Sequence, residues 1–308
     1  MIFSFNTLNS DKKKFINIAE MSILRSDYKM KMRLKDGKLK VLTLSYDDGV
    51  VQDIRLIQIM NKYGLKGTFN INSGLYFAED AIRDKYYGRL KLSEAKDLYI
   101  NSGHEVAVHG FSHPFLEKLN SDEVIYEITE DRKNIENQYG FIARGMAYPF
   151  GTYNKNVIDI LDKCGIVYSR TVNSTFGFDF PENWLALNPT CHHNYDKLME
   201  LIKTFIETPH RHGNSEMFYL WGHSYEFDNN DNWDVIEKFA EYAGGHEHIW
   251  YATNIEIYDY VNAYKRLQTS FDKKIIHNPS SFDIWVDIKN EVYCIKSGET
   301  LNLQVASL

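Results

Sequence analysis

Val41-Leu42-Thr43-Leu44-Ser45-Tyr46-Asp47-Asp48-Gly49 decides the reading of this chain. The short apolar run predicts a buried strand, and the glycine after two carboxylates predicts a turn that leaves Asp47 and Asp48 at the strand end. Further on, Val106-Ala107-Val108 leads in the same way into His109-Gly110-Phe111-Ser112-His113. A carboxylate pair at one strand end and two histidines at i and i+4 beyond another are the parts of a metal site with its own base. Zinc takes imidazole nitrogen and carboxylate oxygen, and a catalytic site keeps one position open. Of two adjacent carboxylates, one can hold the ion while the other accepts a proton from the attacking water.

Outward from this stretch, strand-like and helix-like segments alternate. Strands are expected at 41–45, 67–72, 105–108, 142–148, 167–171, 184–187, 217–221 and 249–252. Helices are expected at 53–63, 92–101, 122–138, 155–163, 195–207, 233–243 and 255–267, with Ser93 and Ser121 as N-caps and Gly64, Gly103 and Gly140 as stops. Such alternation implies βα units around a parallel sheet, and about seven units fit a barrel better than an open sheet. The expected fold is α/β, a distorted, incomplete (β/α) barrel with a small C-terminal β appendage. Asp47, Asp48, His109, His113, Pro149 and His223 all fall just past the C-terminal ends of expected strands, which in a barrel share one face. Residues 1–38 read as an N-terminal extension, with Met30 and Met32 as possible internal starts, 39–268 as the catalytic barrel, and 269–308 as the appendage. The appendage alternates apolar and polar residues around Lys289-Asn290.

Composition narrows the function. The 308 residues are 44% hydrophobic, enough for one large core with a small addition. Net charge is −7 and Lys12-Lys13-Lys14 is the densest basic run, so neither nucleic acid nor an anionic membrane is expected as a partner. Cys164, Cys191 and Cys294 are odd in number and far apart, which predicts reduced thiols. No apolar run approaches the ~20 residues that span a bilayer. The opening Met1-Ile2-Phe3-Ser4-Phe5-Asn6 lacks a basic segment followed by a long apolar one, so a cytoplasmic location is expected. Aromatic residues make up 14%; most serve packing, and those beside the motifs are candidates for stacking on sugar rings.

The motifs resemble those of the polysaccharide deacetylase family, the carbohydrate esterases that act on chitooligosaccharides, peptidoglycan and acetylxylan. Ser45-Tyr46-Asp47-Asp48-Gly49 matches its first motif, and His109 to His113 its second, with Gly110 in a Ser/Thr place. Pro149-Phe150-Gly151 matches the third, and Trp221-Gly222-His223 the last. The resemblance implies Asp48, His109 and His113 as ligands of a divalent metal, zinc ahead of cobalt, nickel or manganese. It implies Asp47 as general base, His223 as general acid, and the Phe150 backbone N–H as donor to the oxyanion. Tyr148, Pro149, Trp184, Trp221 and Tyr225 would shape the pocket, with Glu226 beside them. The implied partner is an acetylated sugar or oligosaccharide, and the oligomeric state is left open. One position departs: the family arginine two residues before the proline is Ala147 here, so Asp47 is expected to lack its usual partner, because Arg144 would project elsewhere. Adjacent residues on an extended chain point to opposite sides, so at most one of His192 and His193 is expected to face the pocket; His210 and His212 are further candidates. Three functions are open: a metal-dependent deacetylase of N- or O-acetylated sugars, a hydrolase of another small amide or ester on the same site, and a non-catalytic carbohydrate-binding protein.

Overall fold

Every residue of Lys40–Asp47 is buried, as a central parallel strand covered on both faces requires. The structure, a computed structural model, describes residues 30–82, 88–209 and 213–303; His210 and His212 lie outside the described residues. In chain order the elements begin β1 (Met30–Met32), β2 (Lys40–Asp47), α1 (Asp53–Lys62), β3 (Gly67–Ile71), α2 (Leu92–Ile100), β4 (Glu105–Val108). They continue α3 (Ser121–Tyr139), β5 (Gly145–Ala147), α4 (Lys155–Lys163), β6 (Tyr168–Arg170), β7 (Cys191–His192), α5 (Leu198–Glu207), β8 (Glu216–Gly222). Then come α6 (Tyr225–Asn229), α7 (Trp233–Ala243), β9 (Ile249–Tyr251) and α8 (Asn254–Lys265). The last strands are β10 (Gln268–Thr269), β11 (Ile275–His277), β12 (Ile284–Ile288), β13 (Glu291–Ile295) and β14 (Thr300–Asn302).

Two compact units result, Lys38–Val261 and a smaller one that joins the residues up to Gly37 with those from Asn262. In the larger unit the sheet runs β6-β5-β4-β3-β2-β8-β7, with β9 also on β2, and its strand pairs are parallel. One edge of β2 is divided: its first residues pair with β9 and its last with β3, while β8 follows the other edge. The path starts at β6 and stops at β7, so the curled sheet is an incomplete (β/α) barrel, as the sequence predicts. Helices cover it with apolar stripes; in α7 the buried residues are Trp233, Ile236, Phe239, Ala240 and Ala243, spaced as one helical face. Phe239 packs with Phe218 of β8, and burying a side chain of that size contributes roughly 1.5–3 kcal/mol.

The expected strand at 184–187 is instead a 3-10 turn at Trp184–Ala186, because the Asn183 side chain accepts the Leu185 amide and closes the chain locally. Only Leu187 bridges to Arg170. The caps also shift: Lys91 precedes α2, and Asn120 caps α3 in a capping box with Glu123. The smaller unit holds two antiparallel three-stranded sheets, β1-β12-β13 and β10-β11-β14. Lys289 and Asn290 have φ of 56° and 66°, the two left-handed residues of a tight hairpin turn between β12 and β13. No helix among the described residues is long and apolar enough to cross a membrane.

Candidate active site

Parallel strands deliver their C-terminal ends to one place, and the turns beyond them aim the side chains. Asp47 ends β2 and is buried; Asp48 follows with φ of 84°, a conformation costly for a residue with a Cβ. The Asp48 amide donates to Asn70 O at 2.9 Å, which fixes that turn against β3. His109 follows β4, and its amide donates to Ile71 O at 3.1 Å and to Asp131 Oδ2 of α3 at 2.9 Å. His113, also left-handed at φ 58°, sets its ring edge-on to His109 with centroids 4.8 Å apart. His223 follows β8.

Asp48, His109 and His113 offer ligand atoms that lie within 4.8 Å of one another. Asp48 Oδ1 is 3.9 Å from His109 Nε2 and 3.7 Å from His113 Nε2. His109 Nδ1 meets Ala147 O at 2.8 Å, so the proton sits there and the Nε2 lone pair faces the cleft. That buried Nε2 has no hydrogen-bond partner. Burial, only partly offset by Asp47 and Asp48, pushes His109 down to about 4, so it is the neutral imidazole that a metal requires. Two imidazoles and a carboxylate fit a divalent ion with an open position. Arg89 restrains the third ligand: its Nη1 donates to Asp48 O and to Asn72 Oδ1 (2.7 Å), and its Nη2 to Asp48 Oδ1 at 3.0 Å.

Asp47 is held differently. Asn70 Nδ2 donates to Oδ1 at 2.9 Å, and Arg170 Nη2 donates to Oδ2. Oδ2 lies 3.8 Å from both His109 Nε2 and His223 Nε2. Burial would raise this carboxylate, but Arg170 and the two imidazoles outweigh it and hold Asp47 at about 2. The expectation that Asp47 lacks an arginine is therefore corrected. Arg170 of β6 is the register partner of Ala147 on β5, so the guanidinium arrives from one strand over. It is fully buried, stacked 4.4 Å from the Trp221 ring centroid. Arg144 pairs with Asp259 instead, at 2.6 Å.

His223 Nδ1 is 3.0 Å from Glu226 Oε1, one helical turn later in α6. Burial disfavours its charge, yet the Glu226 hydrogen bond and Asp47 raise His223 above its ordinary value. The sequence placed Glu226 beside the pocket but gave it no such task; the His-x-x-Glu spacing at a helix start was the available signal. Both His192 and His193 also reach Glu226, at 3.3 and 2.9 Å, His192 part-exposed and His193 fully buried against Tyr46 and Phe227. The strand stops at His192, so alternation ends and the turn swings His193 to the same side. Buried Asp53 ties two of the loops, accepting from Ser224 Oγ and Tyr99 Oη, both at 2.5 Å.

Around the cluster, Trp221 and Tyr225 lie against His223, with centroids 5.8 and 5.1 Å away. Phe150, left-handed at φ 59° and about half exposed, stacks on Phe115 at 3.8 Å and sets its ring against His113. Pro149 is buried. Tyr148 and Trp184 are not brought to the cluster: Tyr148 Oη donates to Leu185 O at 2.7 Å, and Trp184 packs edge-on to Tyr258.

A family model of polysaccharide deacetylase matches residues 35–169. The peptidoglycan-N-acetylglucosamine deacetylase PgdA of Listeria monocytogenes is 25% identical over 122 residues, 39% of this chain and 23% of its own length. YlxY of Bacillus subtilis, an uncharacterised protein, is 27% identical over 106 residues, 34% of this chain and 29% of its own length. The chain thus spans less than a third of the curated relatives it matches. A solved structure from Mycobacterium smegmatis, described as a polysaccharide deacetylase, aligns over 76% of this chain and 94% of its own with a TM-score of 0.55 at 16% identity, a likeness of fold. The matched segment carries Asp47, Asp48, His109, His113 and Pro149, and over residues 35–169 the chain matches the polysaccharide deacetylase family.

Proposed function

We propose that this protein is a metal-dependent deacetylase that hydrolyses the acetyl group of an N-acetylated, or O-acetylated, sugar or oligosaccharide. One observation carries the reading: Asp47 Oδ2 stands 3.8 Å from His109 on the metal-ligand side and 3.8 Å from His223 on the other. Asp48, His109 and His113 would hold a divalent ion, zinc by the chemistry of that donor set, which would supply Lewis-acid polarisation of the acetyl carbonyl and acidify a water. Asp47, ionised at any neutral pH, accepts the proton of the attacking water. The Phe150 N–H donates to the carbonyl oxygen as its charge develops. His223, kept in its Nδ1–H form by Glu226, carries a proton on Nε2 to the leaving nitrogen or oxygen. Arg170 removes one of the arguments for a divergent small-amide hydrolase, since Asp47 has its guanidinium partner.

The test is acetate release from N-acetylated sugars, chitooligosaccharides and acetylated xylan with added zinc or cobalt, beside Asp47→Asn. Metal-dependent release that the substitution abolishes supports the deacetylase. Bound metal with no acetate release moves the reading to another amide or ester, and no metal with no release to a carbohydrate-binding protein.

A further inference from the structure

A second convergence of ligand-type atoms lies beside the first, and the hydrolysis proposed above does not require it as a metal site. His192, His223 and Glu226 each offer one ligand atom, all within 4.8 Å of one another. His192 Nε2 is 3.3 Å from Glu226 Oε2, and His223 Nδ1 is 3.0 Å from Glu226 Oε1. A third imidazole lies beside the cluster: His193 is fully buried, and its Nε2 is 2.9 Å from Glu226 Oε2. Gly222 makes the room, for a Cβ there would stand 2.0 Å from His193 Nδ1. Two imidazoles and a carboxylate form a donor set suited to zinc, cobalt or nickel rather than to calcium or magnesium.

We propose that His192, His223 and Glu226 form a second, weaker divalent-metal site, and that filling it withdraws His223 from proton transfer, so that excess metal inhibits the enzyme. The inhibitory part rests on the reading of His223 given above; the binding part does not. The order of affinities follows from the hydrogen bonds. His109 already donates Nδ1–H to a carbonyl, so its Nε2 is ready for an ion. His192 Nδ1 instead accepts the Asn194 amide at 3.1 Å. Loading Nε2 of His192 moves its proton to Nδ1 and breaks that bond. An ion on His223 Nδ1 replaces the proton shared with Glu226 and leaves a neutral, metallated imidazole, a weaker acid than the imidazolium.

The test titrates metal-free full-length protein with cobalt, followed by its visible ligand-field bands and by equilibrium dialysis. Two classes of site are expected, the weaker by at least tenfold. His113→Ala should remove the tight class and keep the weak one, and His192→Ala should do the reverse. Glu226→Gln, nearly isosteric, guards against a misfolded His192 variant and should also remove the weak class. In the acetate assay, activity should rise and then fall with zinc, and His192→Ala should lose the falling limb. One equivalent of metal in the wild type, or two classes that survive both His192→Ala and Glu226→Gln, would overturn the second site. Absence of acetate release leaves the cobalt stoichiometry to decide it, and so separates failure of this site from failure of the deacetylase reading.

Discussion

Arg170 is the residue on which the base depends. Fully buried, it is the strongest influence holding Asp47 ionised against the pull of burial. Removing one partner of a buried pair leaves an uncompensated charge and costs about 3–5 kcal/mol. Arg170→Met should therefore lower kcat/KM by roughly a hundredfold or more. It should also move the acid limb of the pH–rate profile upward, because Asp47 would then take up a proton at higher pH. An unshifted acid limb would show that Asp47 is not the base. The position of the proposed ligands and base at one place was legible in the sequence because the motifs that hold them follow apolar runs whose ends are easy to place. Arg170 was not, since its relation to Ala147 is one of strand register and not of spacing. That His192 and His193 both meet Glu226 was not legible either, because side-chain alternation holds only while a strand lasts and β7 ends at His192.

At the scale of elements, α3 does more than cover the sheet. Its Asp131 receives the amides of Ser73 and His109, and its Glu127 receives the amide and hydroxyl of Ser112, so one helix frames the loop between His109 and His113, the two histidines of the proposed metal site. The helix is begun by Asn120, whose Oδ1 accepts the Glu123 amide at 3.0 Å. Asn120→Ala should cost about 1 kcal/mol, read as a lower urea midpoint. An unchanged midpoint would show that Glu123 and neighbouring packing hold the helix start alone. Long amphipathic helices and apolar strands such as β2 were legible because their periodicity is strong. The turn at Trp184–Ala186 and the five-residue α6 were not, because segments this short carry no readable periodicity, and at Trp184–Ala186 a single hydrogen bond to the Asn183 side chain decides the conformation.

Across the whole molecule, buried acids and buried histidines set the pH response in opposite senses. Burial pushes Asp53 and Asp131 up to about 7, although several hydrogen bonds oppose it. Between about pH 4 and 7 the folded state keeps protons that the unfolded chain releases, so stability falls as pH rises through that window. Asp47 acts in the opposite sense: its contribution is complete above its unfolded value and is lost as pH falls toward about 2. Buried His104, His109 and His192, pushed down to about 4, oppose this over much of the same window. The share set by the carboxyls is read by difference: Asp131→Asn should make the urea midpoint of the metal-free protein fall less, or rise more, between pH 4 and 7 than in the wild type, and an unchanged slope would refute the protonated state of Asp131. The pairing of Ala147 with Arg170 carries a different lesson, about how loss of activity is diagnosed from sequence. A reader of linear motifs scores Ala147 as a gap and files the chain among decayed relatives. The family match stops at residue 169, one position before the guanidinium that fills the gap. Spelling has changed while the charge has stayed in place, so the competence of such divergent members is a question to put to the neighbouring strand.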